Sequence, residues 1–72
     1  MSERHPATPG LRRYFAWEHL PPHLQGISMP CAELADEMIQ ELPDGPELTT
    51  GLRKLLEAKD CFVRAALDRP GT

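Results

Sequence analysis

The sequence predicts an all-α protein: an antiparallel two-helix hairpin with a flexible N-terminal arm, assembling into a helical oligomer. Three observations predict this. Leu20, Leu24, Ile27, Cys31, Leu34, Met38 and Leu42 recur every three or four residues, the period of one helix face. Leu42-Pro43-Asp44-Gly45-Pro46-Glu47 then punctuates the chain as a turn would. A second helical stretch follows, carrying more apolar side chains than one partner helix can cover.

Taken in order, residues 1–13 hold Pro6, Pro9 and Gly10 without apolar periodicity and read as the flexible arm. Residues 14–72 read as the hairpin domain. Its first helix is expected over about 20–42, with Pro21 and Pro22 in the first turn, where amide hydrogens lack partners anyway. Pro30 removes a backbone hydrogen bond and clashes one turn back. It therefore predicts a kink near 28–30, or else a second helix capped by Ser28. Pro43 ends the first helix and Gly45 permits the reversal across the turn at 43–46. Asp44 with Glu47 three residues later has the spacing of a capping box. The second helix is expected over about 46–67, ending before Pro70-Gly71. So short a link forces the helices antiparallel.

On the second helix, Leu48, Leu52, Leu55, Leu56, Phe62, Val63, Ala66 and Leu67 form paired columns. One column serves the hairpin partner; the other needs a further subunit, because exposed apolar pairs mark association surfaces. Chain size argues the same way. A core this small contributes about 3–5 kcal/mol at most, and two cysteines in 72 residues make no disulfide framework. A homo-oligomer supplies what the single chain lacks.

A net charge of −3 and a pI near 5.5 argue against coating polymeric nucleic acid, which needs a basic face. The distribution is uneven. Tyr14 to Leu52 holds no Lys or Arg but carries Glu18, Glu33, Asp36, Glu37, Glu41, Asp44 and Glu47, whereas Arg53, Lys54, Lys59, Arg64 and Arg69 follow. Folding the halves together is expected to pair these charges. No apolar run is long enough to span a membrane, and the N-terminus lacks a signal-peptide core, so the expectation is a cytoplasmic protein with reduced cysteines.

Several residues invite a functional reading beside a plain one. Tyr14, Phe15 and Trp17 cluster before the first helix, where planar side chains can stack on nucleobases or clasp the neighbouring helix. Arg12 and Arg13 beside them suit an anionic ligand. Arg64 can join a shared anion site near a rotation axis, or pair with Asp60 one turn back. His19 and His23 are four apart but separated by Pro21 and Pro22, which weakens them as metal ligands. Cys31 and Cys61 fall at similar heights in the hairpin and read as reduced thiols. No phosphate loop or catalytic triad order appears, so no enzyme, cofactor or metal is expected.

The order Phe15-x-Trp17-x-His19-Leu-Pro, Leu34-Ala35, Leu42-Pro43-x-Gly45-x-Glu47, Leu52-x-Lys54-Leu55-x-Glu57-Ala58 and Arg64-Ala65-Ala66 resembles a phage family over roughly residues 15–67. These are the anti-CBASS protein 2 type sponges. The resemblance implies a hexamer of helical hairpins that sequesters cyclic di- or trinucleotide signals of bacterial immunity in the infected host's cytoplasm. It implies that Phe15 or Trp17 stacks on a base and that Arg64 serves a second site near a three-fold axis, with Asp68 one turn beyond. The family's basic residue in the first helix is absent here, where Gly26, Ser28 and Pro30 stand. Phosphate contacts are accordingly expected from Arg12, Arg13, His19, His23, Ser28 or backbone amides.

Overall fold

The computed structural model describes residues 7–68, and its regular structure there is helical throughout. Helix α1 spans Ala7–Arg12 and runs into a 3₁₀ turn at Arg13–Phe15. Helix α2 spans Pro22–Glu41 and α3 spans Pro46–Leu67. The two long helices pack on each other, and the leading segment packs against both.

Helix α2 is continuous through Pro30, so Ser28 caps no second helix. Pro22 occupies its first turn, and Pro21 precedes it with an extended backbone whose carbonyl accepts from the Leu24 and Gln25 amides. Gln25 secures the stretch before the helix, donating through Nε2 to the Glu18 and Leu20 carbonyls at 3.1 and 2.9 Å.

The turn differs from the expected capping box. Gly45, not Asp44, holds the capping position of α3, and Pro46 opens the helix; a glycine there has no side chain to cap with. Gly45 is nearly extended, with φ 160° and ψ −176°, so the reversal needs no left-handed residue. Thr49 is buried and donates through its hydroxyl to the Gly45 carbonyl at 3.1 Å.

Residues 7–15 also depart from the expectation. The reading of residues 1–13 as an arm placed no regular structure here, yet Ala7–Phe15 is helical and anchored; residues 1–6 lie outside the described residues. Pro9 falls in the first turn of α1, where its missing amide costs nothing. Phe15 is 0% exposed and lies in one cluster with Cys31, Ala32, Ala35, Leu48 and Leu52, with Leu11 and Trp17 packed around it. The cluster takes its shape from small residues. On α2 the inward line is Leu24, Ser28, Cys31, Ala32 and Ala35; of the expected stripe, Leu24 and Cys31 are buried and Met38 packs against the core, whereas Leu34 and Leu42 stay exposed. Alanines leave room for a phenylalanine ring from outside the helix pair, and close packing then fixes that ring.

No ion pair joins α2 to α3 among the described residues, where the charge distribution led one to expect pairing. Asp36 instead receives two hydrogen bonds from the Arg12 guanidinium, from Nε and from Nη2 at 3.0 Å. Lys59 pairs with its neighbour Asp60 at 3.0 Å.

Candidate ligand-binding hollow

The chain rotates about 100° per helical residue, which assigns each side chain to a flank. On α2, Asp36 and Ala32 fall to one side of the inward line, and Ile27, Leu34 and Met38 to the other. On α3, Leu56, Asp60, Val63 and Arg64 fall to one side of Leu48, Leu52 and Ala66, and Gly51, Leu55 and Phe62 to the other. The leading segment covers the first flank, since Arg12 reaches Asp36 there.

A hollow of about 360 Å³ opens on the covered flank. Arg13, Tyr14, Ala16, His19 and Leu20 form one wall, and Lys59, Asp60, Val63 and Arg64 of α3 form the other. The 3₁₀ turn holds Phe15 inward and thereby leaves Tyr14 54% exposed beside the hollow. The Arg13 guanidinium lies 5.1 Å from the centre of the Tyr14 ring and donates to its hydroxyl at 3.2 Å. Lys59 is unusual for a cation: its side chain is only 13% exposed, because seven-residue steps from Leu52 through Lys59 to Ala66 keep it on the inward column. Its ammonium grips Asp60, so the Asp60–Arg64 ion pair weighed from sequence is not made. Arg64 donates to Cys61 Sγ at 3.3 Å and makes no ion pair among the described residues. Three cations thus face one carboxylate, with a half-exposed aromatic ring alongside. That combination suits a planar base carrying phosphate: the ring stacks, the guanidinium groups bind oxyanions in planar pairs, and a part-buried ammonium is screened little by salt.

Of the candidates read from sequence, Arg13, Tyr14 and Arg64 come together here. Phe15 does not, being sealed in the core; the clasp reading describes it. Trp17 is half-buried against that same core and does not line the hollow, so it is Tyr14 that lies near Arg64. Arg12 is committed to Asp36, whose carboxyl is held below its ordinary range chiefly by that hydrogen bond. Ser28 cannot contact a phosphate in this arrangement: it is 0% exposed, and its hydroxyl has no partner among the described residues. Asp68 closes the last turn through its amide, donating to the Arg64 and Ala65 carbonyls, and lies outside the hollow. His19 lines it; His23 does not.

Lys59 and Asp60 were missed as site residues. Leu52-Lys59-Ala66 at heptad spacing was the available signal, since a lysine on an apolar column must either pair or bind something. Cys31 and Cys61 are both free. Burial pushes the Cys31 thiol up, and the charge of Lys59 partly opposes that rise. No group of three or more potential metal-ligating side chains gathers among the described residues, and no described helix is long and apolar enough to cross a membrane.

The other flank is left uncovered by the described residues, and its hollows are apolar. One hollow of about 460 Å³ is floored by Met38, Leu48, Leu52 and Leu55 and rimmed by Leu34 and Leu42. A second, of about 450 Å³, lies between Gly26, Ile27, Pro30 and Cys31 of α2 and Phe62, Ala65 and Ala66 of α3. No protein-family model, no curated protein and no solved structure matches this chain.

Proposed function

We propose that this protein is a non-enzymatic trap for cyclic oligonucleotide or related nucleotide second messengers. In this reading it is an oligomer of antiparallel hairpins, of the phage immune-evasion type, acting in the cytoplasm of the infected bacterium. It binds the signal and holds it intact. One observation carries the reading: Arg13, Lys59 and Arg64, opposed by Asp60 alone, meet at one hollow with the exposed ring of Tyr14. The sequence resemblance named above supplies the cyclic class of ligand. Phosphate is taken by Lys59 and Arg64, a base by the face of Tyr14, and Asp60 is left to accept from a base amine or ribose hydroxyl.

A thermal-shift panel of cyclic di- and trinucleotides and cyclic ADP-ribose isomers tests this. A tight ligand stabilises the fold by mass action, about 2.7 kcal/mol at a hundredfold excess over Kd. Chromatography of the denatured complex should then return the nucleotide unchanged. A flat panel, or recovery of a cleaved product, overturns the reading. The second reading, a small interaction protein acting through its oligomeric surface, is favoured by the uncovered apolar flank. It predicts that flat panel.

A further inference from the structure

We propose that two copies of this chain dock through the uncovered flank, α2 of each lying on α3 of the other about a two-fold axis along the helix pair. This rests on the oligomeric reading above and deepens it by naming the surface and the symmetry.

The glycines carry the argument. Each apolar hollow couples a helix-interior glycine with large exposed side chains: Gly26 with Phe62 in one, Gly51 with Leu34 and Leu42 in the other. Glycine inside a helix is less stable than alanine, so each position needs a reason. Among its described residues the single chain offers none. A Cβ built on either residue meets nothing within 4 Å, and neither has a left-handed backbone. Close approach of another backbone is the remaining use of glycine at such places. The exposed neighbours supply the matching bulk, Phe62 at 55% and Leu34 at 44% exposure.

The occupant is a second copy because the flank is complementary to itself. A two-fold interface is reciprocal, residue i meeting j and j meeting i. In the proposed arrangement Phe62 settles over the partner's Gly26 and Leu34 over the partner's Gly51, each contact made twice. The opposite two-fold, running across the helix pair, lays α2 on α2. It would face the exposed row Glu33, Glu37 and Glu41 with its own copy, a juxtaposition of like charges that costs stability. The proposed axis sets Glu33 and Glu37 beside the partner's Lys54 instead, and brings Glu41 alone of the row near an acid, the partner's Glu47. The cationic hollow stays open, since it lies on the other flank.

Sedimentation of the full chain at micromolar concentration is the test. The wild type should show at least twice the 8.1 kDa of one chain. Gly26→Leu and Gly51→Leu should each weaken association by about tenfold or more with helical circular dichroism retained. A free flank gives the reverse sign: unchanged mass and a higher melting temperature, because leucine is the better helix former and fills open space. That result overturns the proposal. Should the leucine variants unfold, Lys54→Glu supplies a gentler probe. It should weaken association, and Lys54→Glu with Glu37→Lys should restore it; a double variant no tighter than the single overturns the docking arrangement. A wild type that is a folded monomer sinks the oligomeric reading together with this one. An oligomer indifferent to all these substitutions sinks the docking flank alone.

Discussion

The two flanks of the α2–α3 pair begin from the same requirement and meet it differently. Both carry apolar side chains that a two-helix core leaves uncovered. On one flank the chain covers itself: Phe15 inserts among Ala32, Ala35 and Leu52, Leu11 packs beside it, and Arg12 fastens to Asp36. On the other, Leu34, Leu42 and Phe62 remain exposed around two glycines. The covered flank therefore carries the polar chemistry, because its cover brings Arg13 and Tyr14 against α3. The open flank is the one proposed for association. In the proposed function, a chain this short separates binding from assembly by giving each its own side of one helix pair.

Two phenylalanines give the largest effect expected from this comparison. Phe15→Ala removes a fully buried ring, at a cost of about 3–5 kcal/mol, comparable to the whole stability of a domain this small. Chemical denaturation should find it unfolded or nearly so. Phe62→Ala, on a residue 55% exposed, should cost well under half as much under conditions that keep the chain dissociated. Equal costs would break the distinction between the flanks.

Next comes Tyr14→Ala, which should weaken nucleotide binding by about 1–3 kcal/mol if one stacked base is lost. Stability should change by no more than about 0.5 kcal/mol, as the ring is already half in water. Trp17→Ala should show the opposite pattern in the same two measurements, losing stability and retaining affinity. If Trp17 controls affinity and Tyr14 does not, the hollow described here is not the binding site.

Lys59→Met sharpens the point from inside the covered flank. Replacing a mostly buried ammonium by an apolar chain of similar length leaves Asp60 half in water, so stability should change by no more than about 0.5 kcal/mol while affinity for any phosphorylated ligand falls. Thermal melting with and without ligand reads both. A variant that loses stability would mean that the Lys59–Asp60 pair serves the fold rather than the site.

How far the sequence announced this architecture varies by region. The bounds of α3 were legible to the residue, because Pro46 and the Pro70-Gly71 pair bracket an unbroken apolar pattern. For α2 the length was legible and the inward face only in part, at Leu24 and Cys31. Leu34 and Leu42 outrank Ser28, Ala32 and Ala35 in hydrophobicity, yet the smaller set faces inward because Phe15 needs the space. That requirement comes from a residue outside the helix, which periodicity within it cannot register. The helix at Ala7–Arg12 was hidden by Pro9 and Gly10, although Leu11 and Phe15 at a spacing of four were its trace. Within the hollow, Arg13, Tyr14 and Arg64 were legible by residue type. Lys59 was legible only as a charge interrupting an apolar column, and Phe15 was legible as a clasp but not told apart from a stacking ring, an aromatic being as suited to a core as to a base.

The smallest expected effect concerns what fastens the cover. Arg12 holds Asp36 through two hydrogen bonds, and this lowers the Asp36 pKa, with the hydrogen bond the largest cause. A carboxyl whose folded pKa lies below its unfolded one stabilises the fold when ionised. The contribution is complete above the ordinary value near ~3.9 and is lost as pH falls through the lowered folded value. The pair is part-exposed, with side chains 32% and 49% accessible, so its worth is about 0.2–1 kcal/mol. Asp36→Asn should remove that amount at pH 7 and remove nothing further in strong acid, so the two stability curves converge once the pH has fallen below the lowered folded value. Because the same pair seats the segment that carries Arg13 and Tyr14, Asp36→Asn should also loosen nucleotide binding slightly at neutral pH, while association through the other flank stays unchanged. Sedimentation and ligand titration on the one variant separate the two. A change in assembly with binding intact would show that the leading segment belongs to the interface, and that the flanks are not independent.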